Sequence, residues 1–173
     1  FRSGLTGQSQ LIDACDPETG ITDVLRLLKD GIDPKDCKPE ILYTMAICQK
    51  KDSVKALADA GIDLDAPVNF VKGFGFGTNT LLELIRKKEY DMARFLIELG
   101  ADINFSLGVS SALSVICMQC NTAEDFAFLN YLFNQNIQFD QGRGAQALAR
   151  ALSSKNIQLI QTLTQNPLFK SQV

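Results

Sequence analysis

The feature that most constrains this chain is a leucine that recurs. Leu27, Leu57, Leu96, Leu132 and Leu163 each sit in a short apolar-striped segment, and their spacings are 30, 39, 36 and 31 residues. That is 136 residues in four steps, a mean of 34. A second apolar anchor precedes each one: Ile12, Leu42, Leu82, Leu113 and Leu148, at distances of 15, 15, 14, 19 and 15 residues. The unit is clearest over residues 80–104. Apolar positions cluster at Leu81, Leu82, Leu84 and Ile85, then at Met92, Ala93, Phe95, Leu96, Ile97 and Leu99. Both clusters have the i, i+3, i+4 spacing of a helix buried along one stripe. The run Arg86-Lys87-Lys88-Glu89 separates them, and Gly100-Ala101-Asp102 ends the second. Two helices this short cannot bury their own apolar face, so each pair requires a neighbour.

The periodicity predicts an all-α chain of about five helical hairpins, at roughly 11–33, 39–63, 79–102, 111–138 and 145–167, in one domain over 1–173. Pro39 suits a first helical position, where a missing N–H costs nothing. Gly31, Gly61 and Gly100 end the second helices, and Asn136 stands in the same place in the fourth hairpin because Asn tolerates the left-handed conformation. The fourth hairpin's spacing of 19 adds four residues, about one turn, which predicts a lengthened helix or a wider turn. Thr122 followed by Asp125 predicts a capping box. The fifth hairpin is expected to end at Asn166-Pro167, with Gln158, Gln161, Thr162 and Gln165 facing water as on a terminal unit.

Composition narrows the function. A net charge of −3 argues against nucleic acid or an anionic membrane as the main partner. No apolar run approaches a membrane span, and no segment at the start reads as a signal peptide. Five cysteines without framework spacing read as reduced thiols, hence a cytoplasmic location. Zero histidines remove the commonest general base and most zinc sites, so no enzyme, metal or cofactor is expected. The chain begins at Phe1 without Met, which suggests a piece of a longer protein.

Residues 80–104 resemble an ankyrin repeat, with TLLELI in the place of the first helix and FLIELGADIN in that of the second. Leu81 and Glu83 depart from the T-P-L-H-x-A signature, where Pro and His would stand. The resemblance extends over about 11–167, with the exits of the first two hairpins also matching. It implies a non-catalytic, monomeric module that binds a partner protein on a concave face. In that family the connections between hairpins are β-hairpin fingers, and fingers and first helices together form the face.

One connection stands out. From Gly61 to Thr80 it is roughly eight to ten residues longer than the others and reads APVNFVKGFGFGTN. Three Phe side chains among glycines lack a local scaffold to bury them. They either insert into a partner or fold back over the helices of the second and third hairpins. The resemblance places binding at Asn69, Phe70, Lys72, Phe74 and Phe76 of the finger, at Tyr43, Asn79 and Glu83 in or near first helices, and at Asn104 and Phe105 of the next finger. A regulatory or substrate-recruiting arm of a larger enzyme, or a bacterial effector secreted into a host cell, is the alternative use of such an array.

Other motifs read more plainly. Cys117-Met118-Gln119-Cys120 puts two sulfurs on one helix face, as core packing does, and has no second ligand pair. Lys50-Lys51 and Arg86-Lys87-Lys88 fall where first helices end, favourable to the helix dipole, with an acidic partner or phosphate as the other use. Asp13, Asp16 and Glu18 fit no calcium loop, and Gly73, Gly75 and Gly77 lack the Lys-Ser/Thr of a phosphate cradle.

Overall fold

The computed structural model describes residues 22–31, 33, 34, 37, 39–68, 78–139 and 142–172. Among them the chain is mostly helical. In order, the helices are α1 (Thr22–Lys29), α2 (Glu40–Ile47), α3 (Lys51–Asp59), α4 (Thr80–Arg86), α5 (Tyr90–Glu98), α6 (Ala112–Gln119), α7 (Ala123–Asn134), α8 (Arg143–Ser153), α9 (Ile157–Gln165) and α10 (Pro167–Gln172). Four complete hairpins result: α2–α3, α4–α5, α6–α7 and α8–α9. The first half of the hairpin expected at 11–33 lies outside the described residues.

The hairpins lie side by side. Helix α2 packs on α4, α4 on α6 and α6 on α8, while α1 packs on α3 and α3 on α5. The recurring leucines carry this packing. Leu57, Leu96, Leu132 and Leu163 have no exposed surface, and Leu42, Leu82 and Leu113 are equally buried. One continuous core runs from Val24 in α1 to Phe169 in α10. Leu148 is half-buried at the edge of it.

Three of the four hairpin turns repeat, while after α6 the chain leaves through an extended Cys120. After α2 the Gln49 N–H reaches the Ala46 carbonyl and the Lys50 N–H reaches Met45; after α4 Lys88 reaches Ile85 and Glu89 reaches Leu84; after α8 Lys155 reaches Leu152 and Asn156 reaches Ala151. This double bond is the Schellman arrangement, which satisfies the last carbonyls of a helix and needs one left-handed residue. Gln49, Lys88 and Lys155 supply it, with φ of 60°, 61° and 53°. The second helices end the same way at Gly61 and Gly100, and Asn136 takes φ of 59° as expected.

A hydrogen-bonded seam joins consecutive units. The Asp102 N–H donates to both oxygens of Asp65 at 3.0 and 3.2 Å, and the Gln138 N–H donates to Asn104 Oδ1 at 2.8 Å. Asp65 and Asn104 each stand four residues after an exit glycine, so the contact repeats with the unit.

The extra length of the α6–α7 hairpin has a clear location. Helix α7 has 12 residues where α3 and α5 have 9, so most of the added turn lengthens the second helix. The Thr122–Asp125 capping box is present, with the Asp125 N–H on Thr122 Oγ1 at 3.2 Å and the Thr122 N–H on Asp125 Oδ2 at 2.9 Å.

Helix α9 ends at Gln165 with Asn166 as its cap, where the sequence places the end of the hairpin, and a helix not predicted from the sequence follows. Asn166 is a cap and Pro167 begins a further helix: Asn166 Oδ1 accepts from the Leu168 N–H at 2.8 Å. Pro fits there because its absent N–H would be unpaired in any case. The added helix buries Phe169, whose ring meets Phe139 edge-on at 5.4 Å. Gln158, Gln161 and Gln165 do face water, while Thr162 is half-buried and donates to the Gln158 carbonyl. Because α10 closes the core beside α9, a Phe169→Ala variant is expected to lose about 3 kcal/mol of stability. A urea titration that gives the variant an unchanged midpoint would show α10 to be dispensable.

Candidate interaction surface

Two short β-hairpins precede α4 and α6. Strands β1 (Pro67–Val68) and β2 (Thr78–Asn79) pair antiparallel, with Val68 opposite Thr78. Strands β3 (Ser106–Leu107) and β4 (Ser110–Ser111) pair likewise, with Leu107 opposite Ser110. The second hairpin closes through Gly108-Val109, with positive φ at Gly108 alone, the pattern of a type II′ turn. Between Val68 and Thr78 the chain has nine residues, seven more than the two of the other loop. The sequence register gave eight to ten because it matched Thr80 to Ser111. The helix caps, Asn79 and Ser111, are the equivalent pair.

The expected binding residues divide into three groups. Asn69, Phe70, Lys72, Phe74 and Phe76 lie outside the described residues. Asn79 is fully buried: its Oδ1 accepts from the Leu82 N–H at 2.9 Å, so it starts α4 and presents nothing to a partner. Asn104 is half-buried, with its side chain on the Gln138 N–H and its carbonyl accepting from Arg143 Nη2 at 3.3 Å. Phe105 packs half-buried against the core, and Tyr43 is half-buried on α2.

Glu83 belongs to a polar cluster at the hairpin bases. Arg86 Nη1 donates to Thr78 Oγ1 at 2.7 Å and to Glu83 Oε1 at 2.5 Å, and the Thr78 hydroxyl donates to the same Glu83 oxygen at 2.9 Å. Arg86 Nη2 donates to Ser110 Oγ at 3.2 Å. The sequence signal for the Glu83–Arg86 part was their i, i+3 spacing on one helix face. The reach to Ser110, 24 residues away, carries no local signal.

Of the other basic residues at the hairpin turns, Lys51 and Lys88 reach toward neighbouring units. Lys51 Nζ lies 5.4 Å from the centre of the Phe95 ring, and Gln49 Nε2 donates to Glu89 Oε2 at 2.7 Å. Lys88 Nζ meets Asp125 Oδ2 at 3.0 Å. Asp125, with no exposed side-chain surface, also accepts from Tyr90 Oη at 2.6 Å and from the backbone N–H groups of Asn121 and Thr122. Burial alone would raise its pKa. The hydrogen bonds from Tyr90, Asn121, Lys88 and Thr122 outweigh that and hold the carboxyl well below the usual range. Burial, and then the bond to Asp125, push the Tyr90 hydroxyl well above its usual value.

Burial pushes the Cys117 thiol far up and, joined by the Asp125 charge, pushes Cys120 up to about 12. Both stay protonated and pack in the core. Among the described residues no group of three or more Cys, Asp and Glu side chains converges as a metal site. Asp13, Asp16, Glu18 and the glycines at 73, 75 and 77 fall outside the described residues. One groove of about 170 Å³ lies between the β3–β4 turn and α8, lined by Ser106, Ser110, Ser111, Arg143 and Gln146. A second of about 440 Å³, near Pro34, Cys37 and Asp63, is more apolar. No described helix is long and apolar enough to cross a membrane. No protein-family model matches the chain, and no curated protein matches it.

The Asp125 cluster makes a pH-dependent seam. Its folded pKa lies below the ordinary carboxylate value, so its contribution is fully present above about pH 4 and falls away as pH drops through the folded value. An Asp125→Asn variant is expected to lose about 2–3 kcal/mol at pH 7, less than a fully buried pair because Lys88 stays 40% exposed. Its stability should also fall less steeply than the wild type's between pH 5 and 2. Parallel acid limbs in the two denaturation series would contradict that origin.

Proposed function

We propose that this chain is a divergent ankyrin-type solenoid that serves as a protein-binding module. Side-by-side hairpins, repeated turn geometry, the Asp65 and Asn104 seam and β-hairpins ahead of α4 and α6 support the architecture. The observation that carries the binding role is the β1–β2 base. Its two strands pair in register and leave nine residues, with Phe70, Phe74 and Phe76 among three glycines, beyond the last paired position. The short loop of the next hairpin is complete with two. An aromatic insertion of that size on a paired base suits an apolar recess on a partner protein.

In this reading the long finger supplies the anchors, Tyr43 and Glu83 border the face, and Asn79, Asn104 and Phe105 hold the fingers in place. The module binds as a monomer in the cytoplasm, without a cofactor and without chemistry of its own. Its partner is a protein and neither nucleic acid nor membrane.

The decisive comparison is between the native chain and a Phe74→Ser/Phe76→Ser variant. Proteins captured from cytosolic extract by the native chain are purified, and their dissociation constants are measured against both. Each buried Phe contributes roughly 1.5–3 kcal/mol, so binding should weaken by at least ~tenfold while circular dichroism stays native. A folded variant with native affinity removes the finger from recognition. A variant that unfolds shows the rings to be part of the core.

A further inference from the structure

We infer that Arg86 locks the two β-hairpins into one rigid edge, so that Ser110 in the short hairpin fixes the orientation of the long one. The use of that edge in recognition rests on the binding role proposed above. The two hairpins are separate two-stranded sheets and share no ladder between them among the described residues. Paired strands of two residues are too short to hold a direction on their own. Arg86 stands between them in the last turn of α4, with its side chain 33% exposed.

Its guanidinium divides its donors. Nη1 reaches Thr78 Oγ1 in β2 at 2.7 Å, and Nη2 reaches Ser110 Oγ in β4 at 3.2 Å. Glu83, one turn back on α4, balances the charge and accepts from both Arg86 and the Thr78 hydroxyl. A planar fork can hold two acceptors in fixed directions at once, which a single ammonium on a flexible stem cannot. Thr78 is the residue paired with Val68 across the base of the long finger. Whatever fixes Thr78 therefore fixes the paired base, Val68 with Thr78, that brackets the nine-residue connection. A base ordered before contact lowers the entropy lost on binding.

Hydrogen exchange read by mass spectrometry tests this without any partner. Native protein, Ser110→Ala and Arg86→Lys are compared through peptides covering 66–80, 104–114 and 143–165. Ser110→Ala removes an acceptor in the other hairpin and leaves every residue of 66–80 in place. It is expected to speed exchange in 66–80 on the order of tenfold and to leave 143–165 unchanged. Arg86→Lys should do the same, because the ammonium can keep Glu83 and lose the fork. Acceleration confined to 104–114 in Ser110→Ala would overturn the coupling, and so would a uniform rise across all three peptides. A Phe74→Ser/Phe76→Ser variant that keeps native affinity would remove the binding role and leave this mechanical coupling standing.

Discussion

Everything in this chain depends on a shortage. A pair of helices of seven to nine residues, such as α4 with α5, presents more apolar surface than it can cover by itself. Each pair is therefore a half-finished core, completed by the pair before and the pair after. That is why Leu57, Leu96, Leu132 and Leu163 are all without exposed surface although they are more than thirty residues apart. Stability in such a stack is close to a sum of units and of the contacts between them. A change at one seam is felt first by the two pairs that share it.

Apolar stripes alone would let the pairs slide against one another. Directional contacts between units oppose this. Asp65 on the Asp102 N–H and Asn104 on the Gln138 N–H connect successive exits, and Gln49 with Glu89 and Lys88 with Asp125 connect successive turns. Both ends of the helix pairs are thereby pinned. Asp125 shows how much is concentrated at one seam: a carboxylate with no access to water is kept charged by one ammonium, one phenol and two backbone N–H groups. The loss of water is outweighed only because all four donors arrive together.

What could be read in advance follows from the range of the physics. Helix pairs, exit residues and the Thr122–Asp125 cap depend on neighbours within a few positions, and the spacing of Leu57, Leu96 and Leu132 expressed them. Asn136 was legible for the same reason, since its left-handed backbone is a property of one residue. The register at α4 slipped by one because Asn and Thr both cap helices, and the bond from the Leu82 N–H to Asn79 Oδ1 decides between Asn79 and Thr80. Asn166-Pro167 was legible as the stop of α9 but not as the start of α10, because Asn-Pro both stops a helix and starts one. The Arg86–Ser110 and Lys88–Asp125 contacts span 24 and 37 residues and leave no trace in local pattern. In the candidate surface, the ankyrin resemblance placed Asn79 and Asn104 on the binding face, one beside a first helix and one in a finger. Their polarity instead serves the backbone, as a cap for α4 and a link to Gln138.

The left-handed residues at the hairpin turns carry a further consequence. Glycine is the comfortable occupant of that conformation, and Gln49 and Lys88 hold it at some local cost. Their side chains are the ones that cross to Glu89 and Asp125 in the next pair. A glycine placed at either position would relax its own corner and unfasten the neighbouring unit. Cohesion along the array is thus set against ease within each link, and a stabilising choice for an isolated hairpin would be a loosening one for the assembled stack.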